Sequence, residues 1–292
     1  MQQNNSRTAF SLIELSVVIL IIGILITGVM KGASLISASR LASARSITAK
    51  SSVGEIPDLV AWYETTSTKS FKSPSMANDA IVVYWDDISP KCINKNKPTD
   101  ISSGKTCNTL IASSGMEPKY NNSGINSLPA VKFSGSQFLN LTQFTTSSLS
   151  SATKIIVFAT NSKPSTSSAN LLNNSNSSPV QQVALTTSNS IIMTNGNNGT
   201  NATITSAYSL KTPYILTAVF SSAVGNSNYS FSQKSLTKIA TDIGSNAMQG
   251  LRVGGGFDGE IAEIIIFSRI LKTSELQEIF YYLNKKYKIT LN

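Results

Sequence analysis

From Leu15 to Met30 the chain is almost entirely Val, Ile and Leu, interrupted by Ser16, Gly23, Thr27 and Gly28. With Ser11 to Ile13 ahead of it, the run reaches about the 20 residues that span the hydrocarbon core of a bilayer. Such a stretch has little choice but to be helical, because in lipid each backbone N–H and C=O must find its partner inside the segment. One carboxylate, Glu14, stands near its start. A charge at the centre of a membrane helix costs roughly 2.5–3.5 kcal/mol even on lenient scales, so a passive anchor would be better off without it. A cleaved secretory signal carries its small-residue cleavage site after the apolar core. Here nothing of that kind follows Met30, and the Ala9-Phe10 junction precedes the core. The helical pattern also continues: residues 33–52 lack Gly and Pro and set Ile36, Leu41, Ala44 and Ile47 on one face, until Gly54 and Pro57 break it. At 1.5 Å per residue, a helix from Phe10 to about Ser52 is roughly 60 Å long, about half of it in lipid.

The chain has 292 residues, 41% of them hydrophobic, which is enough for a real core. It has no histidine. That removes Ser-His-Asp and Cys-His catalysis, His-containing zinc sites and histidine general bases. Lys+Arg 24 against Asp+Glu 15 gives a net charge of +9, but the basic residues are scattered, so nucleic acid is not indicated as a partner. Cys92 and Cys107 lie in a polar Lys/Asn/Ser-rich stretch, a poor place for buried thiols and a good one for a disulfide. Such a bridge contributes on the order of 3 kcal/mol and belongs outside the reducing cytoplasm.

After Pro57, short apolar or alternating stretches recur between Ser, Asn, Thr and Gly: 80–87, 130–135, 154–160, 182–187, 190–195, 214–220, 229–234, 250–255 and 260–269. So many strand signals with no helix between them predict an all-β sandwich. The Ser/Asn-rich segment 161–179 reads as a long surface loop. Residues 273–287 form the one later helix, opened by a capping box of Ser274 and Gln277, with Leu276, Ile279, Phe280, Leu283 and Tyr287 on one face and Lys285 and Lys286 near its end. Asp258 and Glu260 have the spacing of a glycan-hydrolysing carboxylate pair, with Glu263 on the opposite face, yet Asp258 beside Gly259 reads as a turn residue and structural roles are preferred. Asp86 and Asp87 are too few to form a calcium shell, and no calcium site is assigned. Strand alternation sends Trp62 and Tyr63, and likewise Tyr84 and Trp85, to opposite faces.

The N-terminal stretch "AFSLIELSVVILIIGIL" resembles the start of type IV prepilins and of the pseudopilins of type II secretion. The resemblance implies a leader, residues 1–9, cut after Ala9 by a prepilin peptidase, and N-methylation of Phe10. It also implies a hydrophobic helix, 10–54, that crosses the inner membrane once and later forms the core of a helical filament built by inner-membrane machinery. Glu14, fifth residue from the cut, would then meet the Phe10 amine of a neighbouring subunit. The alternative role for Glu14 is to complement the helix dipole, worth about 0.3–1 kcal/mol. Three features depart from the family: Ala9 stands where Gly is usual, no Pro bends the segment near Lys31, and Lys31, Arg40 and Arg45 outnumber Arg7 across the span. The family orientation, with the leader inside, is kept.

A second resemblance lies in "LVAWYET" (59–65), "VVYWDDIS" (82–89), "NSGINSLPAVKFSGSQFL" (122–139) and "GEIAEIIIFSRILKTSELQEIFYYLNKKY" (259–287). In that order they are similar to laminin G-like, concanavalin A-like jelly-roll domains of bacterial surface proteins. This implies a head over 55–292 made of two antiparallel sheets, which in such domains binds sugars or proteins, in some with calcium. The combined expectation is an α+β chain, a long helix followed by a jelly roll with a C-terminal helix. It would be a non-enzymatic filament subunit displayed outside the cell for adhesion to glycans or surfaces. A secretion pseudopilin, a membrane-tethered glycanase and a DNA-binding pilin are the alternatives.

Overall fold

A computed structural model describes residues 11–73, 76–92, 107–146, 148–165, 168–176, 179–196, 200–205 and 208–292. The chain divides into two compact units, one ending at Ser43 and the other running Ala44–Asn292. Helix α1, Leu12–Ala49, supplies all the described structure of the first unit and, from Ala44, the first turns of the second. Among the described residues, it is the one helix long and apolar enough to cross a membrane.

The second unit is a sandwich of two eight-stranded antiparallel sheets. The first contains β1 (Leu59–Glu64), β4 (Lys119–Asn121), β5 (Ala130–Gly135), β7 (Ala152–Thr160), β12 (Pro213–Phe220), β13 (Asn228–Phe231), β14 (Thr237–Lys238) and β16 (Phe257–Phe267). Its central strand β16 lies between β7 on one side and, on the other, β5 beside its first half and β1 beside its second. The second sheet runs in the order β11 (Ala202–Ile204), β10 (Ile191–Thr194), β9 (Gln182–Thr186), β8 (Ser168–Asn173), β15 (Leu251–Gly254), β6 (Phe138–Leu141), β3 (Leu110–Ala112) and β2 (Tyr84–Trp85). Aromatic and β-branched side chains fill the space between the sheets, among them Tyr63, Trp85, Phe133, Phe158, Phe220, Ile264 and Ile266. Helix α2 (Thr273–Tyr287) covers the outer face of the first sheet, laying Leu276, Ile279, Phe280, Leu283 and Tyr287 over Ile155, Val157, Ile265 and Phe267. With apolar layers on both sides, β7 is buried at every residue and reads as a continuous apolar run rather than an alternation.

Four expectations are corrected. Residues 168–173, expected within a surface loop, form β8: a register shift between Asn170 and Leu172 lets Leu171 and Leu172 both enter the core, which erases the alternation that would mark a strand. Asp258 sits inside β16 opposite Ser134 instead of in a turn. Glu263 lies on the same face as Asp258 and Glu260, because a second register shift, between Ile261 and Glu263, turns it toward the helix. The helix opens at Lys272, whose N–H donates to Glu275 at 2.8 Å, so Glu275 and not the Ser274/Gln277 pair closes its first turn.

Candidate functional site

In the first unit, the geometry at the start of α1 bears directly on Glu14. Its Oε2 accepts the Ser11 N–H at 3.0 Å, and the Ser11 hydroxyl oxygen accepts the Ile13 N–H at 3.3 Å. Ser11 and Glu14 are thus a capping box, which satisfies two of the orphan donors of a helix N-terminus. The S-x-x-E spacing was legible in the sequence and overlooked there. Further along, the Ser16 and Thr27 hydroxyls donate to the Ile13 and Gly23 carbonyls, each at 2.8 Å. The polar side chains of the apolar run are therefore satisfied by their own helix, as a lipid environment requires. Residues 11–29 expose their side chains throughout. Ala9 and Phe10 lie outside the described residues.

In the second unit the sandwich holds a buried ionic cluster that sequence reasoning did not find. Glu64 and Glu263 are direct partners across β1 and β16, an arrangement that repels unless a cation intervenes. Lys286 of α2 supplies it: Nζ lies 2.7 Å from Glu64 Oε2 and 2.8 Å from Glu263 Oε2, all three side chains being fully buried. Glu263 also accepts the Trp62 Nε1–H at 2.7 Å and the Tyr282 and Tyr287 hydroxyls at 2.8 and 2.9 Å. Glu64 takes the Thr66 N–H at 2.8 Å and its hydroxyl at 2.7 Å. Burial raises the pKa of Glu64, but Lys286 and Thr66 outweigh it and hold that carboxyl below its ordinary value. At Glu263 burial, helped by the Glu64 charge, prevails and the pKa is raised. Lys286 loses by burial and gains more from the two carboxylates, so its pKa is raised. Tyr282 sits 3.2 Å from the Thr48 hydroxyl, and Arg45 Nε donates to the Thr66 carbonyl at 2.7 Å, which ties residues 44–49 into the same cluster. Fully buried and shared between strands β1 and β16 and helix α2, the side chains of Glu64, Glu263 and Lys286 dock α2 onto the sheet. The missed signal was a lysine inside the apolar stripe, three residues after Leu283 and seven after Ile279.

The remaining candidates are placed as follows. Asp87 is buried and accepts the Trp62 and Ser89 N–H groups at 3.0 and 2.8 Å and the Ser89 hydroxyl at 3.0 Å; burial outweighs these donors and raises its pKa to about 6. Asp86 accepts the Thr109 hydroxyl at 3.1 Å. Among the described residues no three Cys, Asp or Glu side chains gather as metal ligands. Asp258 accepts the Ser162 hydroxyl and Glu260 the Asn121 amide, each at 2.5 Å, and Glu260 lies opposite Lys132. Trp62, Tyr63 and Trp85 are core residues, whereas Tyr84 is half-buried on the outer face. Cys92 and Cys107 form a disulfide with their Cα atoms 4.4 Å apart.

The prokaryotic N-terminal methylation motif matches residues 4–30. No curated protein sequence matches the chain. Among solved structures, a Trypanosoma rangeli sialidase in complex with sialic acid superposes with a TM-score of 0.50 at 12% identity, covering 81% of this chain and 34% of that one. The botulinum neurotoxin type G receptor binding domain does so with a TM-score of 0.49 at 13% identity, covering 77% and 51%. This chain spans about a third to a half of those proteins, and at such identities the likeness is one of fold alone.

Proposed function

We propose that the chain is the subunit of a type IV pilus-like filament, with its sandwich displayed as an adhesive head. In this reading prepilin peptidase removes residues 1–9 after Ala9, and Phe10 becomes the methylated amino terminus. The helix over 10–54 holds the subunit in the inner membrane by its apolar first half until it packs into the filament core, and the head over 55–292 faces the exterior. The observation that carries it is the methylation motif over 4–30, which overlaps, from Leu12 onward, the membrane-length helix whose first turn holds Glu14. The capping box engages Glu14 Oε2 with a neutral N–H, and among the described residues no cation pairs with it. A carboxylate in an apolar bundle is stabilised when an ammonium reaches it, and the new Phe10 amine of an adjacent subunit is such a group. Export agrees with the Cys92–Cys107 disulfide. The chemistry is assembly and not turnover: the fully buried carboxylates Glu64 and Glu263 are engaged in holding the fold.

Mass analysis of sheared surface fibres tests this. The expected polypeptide begins at methylated Phe10. A chain that still begins at Met1, or fibres that lack it, refutes the reading. Lost protein secretion with intact fibres, on deleting the gene, would assign the subunit to a secretion pseudopilus instead.

A further inference from the structure

Tyr281 of α2 is 70% exposed, whereas every other described aromatic side chain is buried or half-buried. An exposed ring gains nothing from the core, and aromatic side chains concentrate where a partner or ligand covers them. This one lines a groove of about 320 Å³ that belongs entirely to the second unit. The last turn of α1 contributes Ser46 and Ile47, with Lys50 just beyond it, while Glu278 and Lys285 lie one turn to either side of the ring on α2. Small-ligand sites span about 300–1,000 Å³, so the groove has room for one sugar ring rather than for a chain of them. Its walls are fixed in advance. The Tyr282 hydroxyl lies 3.2 Å from that of Thr48, and Ile47 packs on the apolar layer beneath α2, which lowers the ordering cost of binding. The polar side chains remain available. Those of Ser46, Lys50 and Glu278 make no hydrogen bond or ion pair with any described residue, and Lys285 Nζ only approaches the Tyr281 ring, 5.8 Å from its centroid. Two ammonium groups outnumber one carboxylate, which favours an anion, while Ser46 and Glu278 accept hydroxyl hydrogens and the ring offers a flat apolar face. A sugar acid presents all three complements at once.

We propose that this groove binds a single acidic sugar residue, Lys50 and Lys285 meeting its carboxylate, Glu278 and Ser46 its hydroxyls, and the Tyr281 ring its apolar face. The proposal rests on the adhesive-head reading and gives it a site and a ligand class. The test titrates the full chain, in micelles of a detergent without a sugar headgroup, with methyl glucuronide, methyl galacturonide and a methyl sialoside. Neutral methyl glucoside, methyl galactoside and acetate are the counterparts, and binding is read by NMR saturation transfer to the probe. At least one acidic sugar is expected to bind about fivefold or more tighter than every counterpart, with affinity falling as salt rises. Tyr281→Ala should weaken that binding by about tenfold or more, and Lys50→Gln combined with Lys285→Gln by about fivefold or more. Both proteins should keep the parent melting temperature, because the changed side chains are exposed, and Lys238→Gln on β14 should bind like the parent. No binding of any acidic sugar, equal binding of a counterpart, or either groove variant folded and binding as before overturns the proposal. Because micelles need no assembly, sugar binding without fibres would sink the filament reading and spare the site, and fibres without sugar binding the reverse.

Discussion

Replacing Lys286 by Met removes one cation from between two carboxylates that face each other across neighbouring strands. Methionine fills similar volume, so the cost is electrostatic: deleting one partner of a buried pair costs about 3–5 kcal/mol, because the remaining charge stays buried and uncompensated. For a domain of this size each kcal/mol moves the melting temperature by about 2–4 °C, so the Lys286→Met melt should fall by roughly 6–20 °C. The loss must depend on pH. Without the lysine, burial and mutual repulsion face only neutral donors such as Thr66 and Trp62, so the folded pKa values of the carboxyl pair move upward. Groups raised on folding stabilise fully below their unfolded pKa and lose that contribution as pH rises through the folded one, so the deficit is largest at neutral pH and shrinks on acidification. Thermal melts of the full chain in micelles at pH 5 and pH 8, followed by the fluorescence of buried Trp62 and Trp85, read this directly. Adding Glu263→Gln to Lys286→Met should recover about 1 kcal/mol or more at pH 8, since it removes one of the two repelling charges. The exposed neighbour Lys285, changed to Met, should stay within about 0.5 kcal/mol of the parent. A Lys286→Met protein that melts within about 2 °C of the parent, or whose deficit is the same at both pH values, would refute the electrostatic account.

Glu14→Gln should reduce fibre yield by about tenfold or more while leaving membrane insertion intact, as an amide costs less in lipid than a charge and cannot pair with an ammonium; immunoblots of sheared fibres against membrane fractions separate the two. Asp87 has a folded pKa of about 6 against an ordinary 3.8, so its contribution to stability declines as pH rises between those values, by on the order of 3 kcal/mol. Asp87→Asn should remove that slope in pH-dependent denaturant melts, whatever its fixed cost, and an unchanged slope would reject the assignment. Leu172→Ala should destabilise the head by about 2–5 kcal/mol if 168–173 is a core strand, and by almost nothing if it is a loop, as read in the same melts.

Long-period features were legible in the sequence because each needs only its own stretch of chain. A membrane-length run of Val, Ile and Leu has one low-energy conformation whatever surrounds it, and the stripe from Leu276 to Tyr287 shows its apolar side by spacing alone. Strands with regular apolar patterning, such as 130–135 and 214–220, also stood out. The strand 168–173 did not, since its Ser and Asn content imitates a loop and its register shift hides the period of two. The shift before Glu263 had the same effect in reverse, sending an acid predicted for one face to the other. Nothing local distinguishes a one-residue bulge from regular alternation.

Sequence alone thus determined that this protein has an apolar helix with an acid in its first turn, a β-rich remainder and a terminal amphipathic helix, since hydrophobic period and backbone satisfaction are properties of a segment. Only the tertiary structure decided that Glu64, Glu263 and Lys286, as many as 222 residues apart, share one buried site, and that Tyr84, Ile111, Asn140 and Arg252 are successive cross-strand partners in the second sheet. Strand order and register set those neighbours, and they are fixed by how two sheets and a helix share one core.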